Sequence, residues 1–205
     1  MKLPFQVGVT GGIGSGKSLI CRIFNVLGAP VYDADSHAKE LMTTDGILIS
    51  QIKKEFGELS FNSDGSLNRT YLGKEVFSDS KKLEKLNKLV HPRVAVDYEA
   101  WVKKNHVADY VVKEAALLIE AKSYLSLDKL IVVSAPEKIR VKRVLQRDKH
   151  RTEKQVYDVI SNQMSEEEKK KLADHIIVND ETELVITQVI ALHQQFSKMH
   201  PEKNI

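Results

Sequence analysis

Residues 10 to 18 read Thr10-Gly11-Gly12-Ile13-Gly14-Ser15-Gly16-Lys17-Ser18, a complete G-x-x-x-x-G-K-[ST] phosphate loop. Each position has a physical task. The glycines carry no Cβ, so the backbone can curl and turn the N–H groups of Gly12, Ile13, Gly14, Ser15 and Gly16 inward on an anion. Lys17 brings a mobile positive charge to β- and γ-phosphates, and the Ser18 hydroxyl can ligate Mg²⁺. The flanks agree with the motif. Phe5-Gln6-Val7-Gly8-Val9 is a short apolar run suited to a buried parallel strand. Behind the loop, Leu19, Ile20, Ile23, Phe24 and Leu27 recur at helical spacing, so the phosphates would meet a helix N-terminus. The sequence predicts a nucleoside triphosphate site between a strand and a helix.

Around this nucleus strands and helices alternate. Pro30–Asp33, Asp109–Lys113, Lys129–Ser134 and His175–Val178 read as four further strands, and a final helix is expected from about Glu183 to Met199. Repeated βα units imply an α/β fold with a parallel five-stranded sheet flanked by helices. One interval breaks the rhythm. Between Asp35 and Val107 there are only helical patterns, at Ala38–Met42, Ile47–Phe56, Leu72–Phe77 and Leu83–Val102, which predicts an inserted helical subdomain. The tail Pro201–Ile205 is expected to fray. A formal charge of +3 implies no broad cationic surface for nucleic acid. No apolar run reaches membrane-spanning length, and no membrane or protein partner is implied. The single Cys21 cannot form an internal disulfide, which fits a cytoplasmic setting, and its place on the first helix suits a small buried hydrophobe. The histidines show no metal-ligand spacing, so no zinc site is expected.

Asp33-Ala34-Asp35 ends the second strand. Ligands in open parallel sheets bind beyond the carboxyl ends of the strands. If strand two adjoins strand one and the chain stays extended, both carboxylates face one way beside the γ-phosphate. One could then take a proton from an incoming hydroxyl while the other helps to hold Mg²⁺. The alternative for Asp35 is a helix cap. Arg140, Arg143 and Arg147 lie at i, i+3 and i+7, which sets three guanidinium groups on one helix face with few acids nearby. Planar forks suit phosphate oxygens and can cover a transferring phosphoryl group. The polar stretch 148–171 then reads as a lid.

At this point the residues resemble a known family, dephospho-coenzyme A kinase. The match covers the loop, Asp33-Ala-Asp35, Asp64-Gly-Ser-Leu-Asn-Arg69, Asn87 with His91-Pro92, and Leu117-Leu-Ile-Glu120. It continues through Arg140, Arg143, Gln146-Arg147-Asp148, Gln163, Ala173-Asp174 and Asn179. The resemblance implies a P-loop kinase fold with a helical CoA-binding insertion and a lid. The core would comprise 1–34, 107–147 and 172–205, the insertion 35–106 and the lid 148–171. It also implies phosphoryl transfer from ATP, with Mg²⁺, to the ribose 3′-hydroxyl of dephospho-CoA, the last step of coenzyme A biosynthesis. Other readings are a different small P-loop kinase or a nucleotide-dependent switch.

Roles follow residue by residue. Asp35 is the expected base, with Asp33 second choice and a further candidate ligand for Mg²⁺ beside Ser18. Lys17, Arg140 and Arg147 are expected to act on the transferring group, and Arg143 and Arg147 to bind ATP. Asp33, Asp35, Arg69, His91 and Glu120 are expected to face the acceptor, Glu120 alternatively holding a basic lid residue. His91 precedes Pro92, which is expected to force it out of the helical region. Two departures stand out: Leu19 replaces the family's usual Thr, and Lys149-His150-Arg151-Thr152 runs about one residue long.

Overall fold

A computed structural model describes residues 3–77 and 79–199 of the 205-residue chain, so the expectation for the tail lies outside the described residues. The chain divides into two compact units. The first comprises Met1–Asp33 and Val102–Ile205, and the second Ala34–Trp101.

In the first unit five strands form one parallel sheet: β1 Phe5–Thr10, β2 Val31–Asp33, β3 Tyr110–Glu114, β4 Lys129–Ser134 and β5 His175–Val178. Their order is β2-β3-β1-β4-β5. Strand two therefore pairs with strand three and not with strand one, contrary to the adjacency considered from sequence. The reason is connectivity: the chain returns from the second unit into β3, which fills the slot beside β1. Alternation along β1 sends Val7 and Val9 to the face covered by α1 (Lys17–Val26) and α9 (Val185–Phe196). There they pack with Ile20, Phe24, Ile131, Ile177 and Phe196, all 0 % exposed. Phe24 meets the Tyr110 ring edge-on, with centroids 6.2 Å apart. A second cluster joins α6 (Glu137–Arg147) to α7 (Glu153–Ser161) through Val141, Val144 and Val156, with Ile13 and Ile160 against it. A short helix α8 (Glu166–Leu172) lies against β4. The stretch 148–171 is thus built of two packed helices.

The second unit is helical: α2 Ala34–Thr44, α3 Gly46–Phe56, α4 Arg69–Phe77 and α5, which begins at Ser80 and runs on to Lys104. Leu48, Ile52, Phe56, Leu72, Leu86, Val90 and Val94 are buried. Asp45 caps α3 by accepting from the Leu48 N–H at 2.9 Å. Arg93 donates to the same carboxylate at 2.8 Å. Together these partners, the Leu48 amide foremost, hold the Asp45 carboxyl below its ordinary pKa.

Pro92 lies inside α5, and His91 is helical, which corrects the expectation that the proline would push it out. Proline disfavours the helical region before it, but two flanking helical stretches impose that conformation across the site. Its ring also leaves the carbonyl of Lys88 without an intrahelical donor. Lys88, His91 and Pro92 are all exposed, so water can serve that carbonyl.

Candidate functional site

The phosphate loop joins the middle strand of the sheet to α1. Gly14 and Gly16 have φ of 77° and 99°, in the left-handed region. A Cβ would stand 2.4 Å from the Arg140 carbonyl oxygen at Gly14 and 2.2 Å from Asn179 Nδ2 at Gly16. Both positions therefore need glycine for conformation and for space. Ser15 N donates to Gly12 O at 3.1 Å, which closes the leading turn. No side chain caps α1, and its first turn holds no acidic residue, so its positive end is available to an anion. Lys17 Nζ arches back onto the carbonyls of Gly11 (3.0 Å) and Gly12 (3.3 Å).

The carboxylates at the strand ends differ from the expected pair. α2 begins at Ala34, so Asp33 closes β2 while Asp35 sits in the first turn of a helix. Helical geometry does not put residues two apart on one side, and the extended alternation expected for the pair is lost. The neighbour of Asp33 is instead Glu114, paired with it in register at the end of β3, as Glu114 is with Val9. In-register residues of neighbouring strands point to the same face. Glu114 Oε1 accepts from the Ser18 hydroxyl at 2.8 Å. Glu114, 9 % exposed, also lies beside Cys21, whose thiol is pushed well up by burial and further by this carboxylate. Cys21 is thereby a protonated, buried filler.

The arginine stripe is not single-signed, because acids from elsewhere in the chain reach it. Arg140, 6 % exposed, donates from Nε to Ala135 O at 3.1 Å and has Glu166 at 3.5 Å. Its Nη1 lies against Gly12, 2.3 Å from where a Cβ would be. Arg143 donates to Asn179 O (3.0 Å) and to Glu181 (3.2 Å), while Asn179 Nδ2 donates to Ser15 O at 2.8 Å. Arg147 forms a two-pronged pair with Asp148 at 2.8 and 2.9 Å, and its side chain is 66 % exposed. That pairing raises the Arg147 pKa and lowers that of Asp148. A cavity of about 850 Å³ opens beside the loop, lined among others by Gly12, Arg140, Gln163, Glu166 and Lys169.

Comparison with known proteins decides the kinship of this site. A family model described as dephospho-CoA kinase matches residues 5–184. The chain belongs to the dephospho-CoA kinase family. A dephospho-CoA kinase of Bacteroides fragilis is 35 % identical over 190 residues, covering 93 % of this chain and 92 % of that protein. The crystal structure of TT1252 from Thermus thermophilus superposes with a TM-score of 0.82 at 31 % identity, over 98 % of this chain and 100 % of that one. A dephospho-CoA kinase structure from Campylobacter jejuni gives 0.67 at 26 % identity, over 94 % and 97 %. The fold is accordingly a P-loop kinase fold, and the chain is an ATP-dependent kinase of coenzyme A biosynthesis.

The dephospho-CoA kinase motifs gain physical content from the structure. In Asp64-Gly-Ser-Leu-Asn-Arg69, Asp64 accepts from Ser66 N at 2.9 Å and turns the chain, and Leu67 bridges back to Phe61. Asn68 then accepts from Tyr71 N at 3.1 Å, which starts α4 with Arg69 exposed at its first position. Arg69, His91 and Asp35 all belong to the second unit, whereas Lys17, Ser18, Asp33, Glu120 and the three arginines belong to the first. Glu120 engages a basic residue of the 148–171 stretch, Lys169, at 2.9 Å. Glu114 and Glu166 were not singled out from sequence. Glu114 carried the same signal as Asp33, an acid at the carboxyl end of a buried strand. Glu166 carried none, because its partners Ser134 and Arg140 are set by the packing of α8.

Proposed function

We propose that the chain transfers the γ-phosphoryl group of ATP in line to the ribose 3′-hydroxyl of dephospho-CoA, with Asp33 as the base. The observation that carries the assignment is the pairing of Asp33 and Glu114 at adjacent strand ends, with Ser18 bonded to Glu114. The loop amides and Lys17 hold the β- and γ-phosphates once Lys17 leaves the carbonyls of Gly11 and Gly12. Arg140, lying against Gly12, faces charge that develops on the transferring group, and Arg143 steadies the loop through Asn179. Asp33 accepts the hydroxyl proton, and Asp35, in the first turn of α2, orients the acceptor together with Arg69 and His91. This reverses the order of the two aspartates expected from sequence, because the helix begins between them.

The donor set Ser18 and Glu114 consists only of oxygens, which suits Mg²⁺ and leaves Asp33 to act as the base. No group of three or more His, Cys, Asp or Glu among the described residues is placed to hold a metal, so the remaining ligands would come from phosphates and water. When bound, Mg²⁺ supplies neutralisation of charge between the β- and γ-phosphates.

The test is ADP release with and without dephospho-CoA. Strong dependence on the acceptor is expected, and equal rates in both would sink the reading. Asp33→Asn, which cannot take the proton, should lower turnover about 10²-fold or more, and Asp35→Asn less than tenfold. A dead Asp35→Asn beside an active Asp33→Asn would restore the opposite assignment.

A further inference from the structure

Within the phosphate loop, the Ile13 amide takes its acceptor from a side chain outside the loop. A backbone N–H in a packed loop needs an acceptor. Ile13 finds it 150 positions away, in the side-chain oxygen of Gln163 at 3.0 Å, so this N–H is engaged by the protein and not turned to an anion as expected from sequence. The Ile13 side chain is anchored in the same neighbourhood, against the small cluster of Val141, Val144 and Val156. Amide and side chain thus tie the leading turn of the phosphate loop to the α6–α7 layer.

Gln163 is itself held. It lies in the turn between α7 and α8, where its N–H donates to Ile160 O at 3.1 Å. The next residue, Met164, donates its N–H to Glu120 Oε1 at 3.1 Å. The same oxygen faces Lys169 Nζ at 2.9 Å, on a lysine side chain only 1 % exposed. On the far side of the turn, Ser165 caps α8 in a reciprocal arrangement with Glu168. The turn is therefore clamped at both ends, and Gln163 presents a fixed oxygen to the loop.

We propose that Gln163 is a positioning residue for nucleotide binding, setting the Gly12–Ile13 peptide so that the following amides converge on the phosphates, with Glu120 and Lys169 holding Gln163 in place. The inference rests on the phosphate-loop reading above. Its physical basis is preorganisation: a loop already in its binding geometry spends less of the interaction on ordering itself. The effect belongs to ground-state binding of the donor and not to the transfer step.

The test uses the full chain and measures Mg·ATP binding by calorimetry without acceptor, alongside steady-state kinetics with dephospho-CoA. Gln163→Met keeps length and removes the acceptor. It should weaken ATP binding about five- to tenfold, the range of one lost hydrogen bond, and raise the KM for ATP while kcat stays within twofold. In ¹⁵N-labelled protein the Ile13 amide resonance should shift upfield. Gln163→Glu keeps an oxygen against the N–H and should leave that resonance near its original position, whatever its charge does to affinity. ATP affinity unchanged in Gln163→Met, an unmoved Ile13 resonance, or a loss confined to kcat would each overturn the proposal. Absence of transfer to dephospho-CoA in the unmodified chain, with ATP binding still dependent on Gln163, would overturn the proposed reaction alone.

Discussion

The phosphate loop and the turn between α7 and α8 meet at one hydrogen bond, yet they are held in shape by different kinds of contact. Inside the loop, left-handed glycines and bonds between near neighbours, Ser15 to Gly12 and Lys17 to Gly11 and Gly12, make the turns, and Gln163 and Asn179 then hold Ile13 N and Ser15 O from afar. The turn depends on partners far along the chain, Glu120 at 44 positions and Ile13 at 150. Glycine conformations and near-neighbour bonds can form as soon as the loop's own nucleus is built. A turn fixed by distant side chains has a shape only once the sheet has brought those partners together. Damage should accordingly fall on chemistry in the first region and on stability in the second.

The largest effect expected from that contrast is at Lys17. Lys17→Ala removes a charge facing the γ-phosphate and should lower kcat by about 10²- to 10³-fold, with a thermal midpoint within about 2 °C of the unmodified chain. A large fall in the midpoint would erase the distinction. Next comes Glu120→Gln, which leaves Lys169 buried opposite a neutral group. Loss of a buried pair partner costs about 3 kcal/mol, or roughly 6–12 °C in a chain of this size. Calorimetric scanning should show the fall, and adding Lys169→Met should recover most of it, because a neutral pair no longer strands a charge.

A smaller effect sharpens the comparison in the second unit, where Asp45 has one near partner, Leu48, and one distant partner, Arg93. Asp45→Ala should cost about 1–2 kcal/mol at neutral pH, the worth of a helix cap. The folded carboxyl titrates below its unfolded value, so its contribution is present above about pH 4 and is lost as the pH falls through the folded value. Urea unfolding of both proteins at a series of pH values should show the gap closing only on the acid side. The smallest effect belongs to Arg147→Ala, since the Arg147 side chain is mostly exposed and Asp148 keeps a second partner in Arg151. Its stability cost should stay under about 0.5 kcal/mol in the same urea measurement.

The same contrast explains what could be read from the amino-acid order. The loop, the five strands and the helical second unit were legible because their signals are short-range: glycine spacing, apolar runs and helical periodicity. The strand-three segment read from sequence ended at Lys113, one residue before Glu114, and the acid that pairs with Asp33 was passed over for that reason. The arginine stripe was visible at i, i+3 and i+7, but its counter-ions Glu166 and Glu181 lie on elements whose docking no local pattern encodes. Whether Asp33 and Asp35 face one way turned on a single backbone turn, since nothing in Asp-Ala-Asp says whether the strand continues through it or a helix starts, and the helix starts at Ala34.

Cys21 offers the chain a reporter of its own. It is the single thiol, 2 % exposed, protonated, and within electrostatic reach of Lys17, Asp33 and Glu114. A maleimide or disulfide reagent cannot reach it while α1 is seated, so the labelling rate measures how often this part of the molecule opens. Any ligand that grips the loop would slow that clock in proportion to its occupancy.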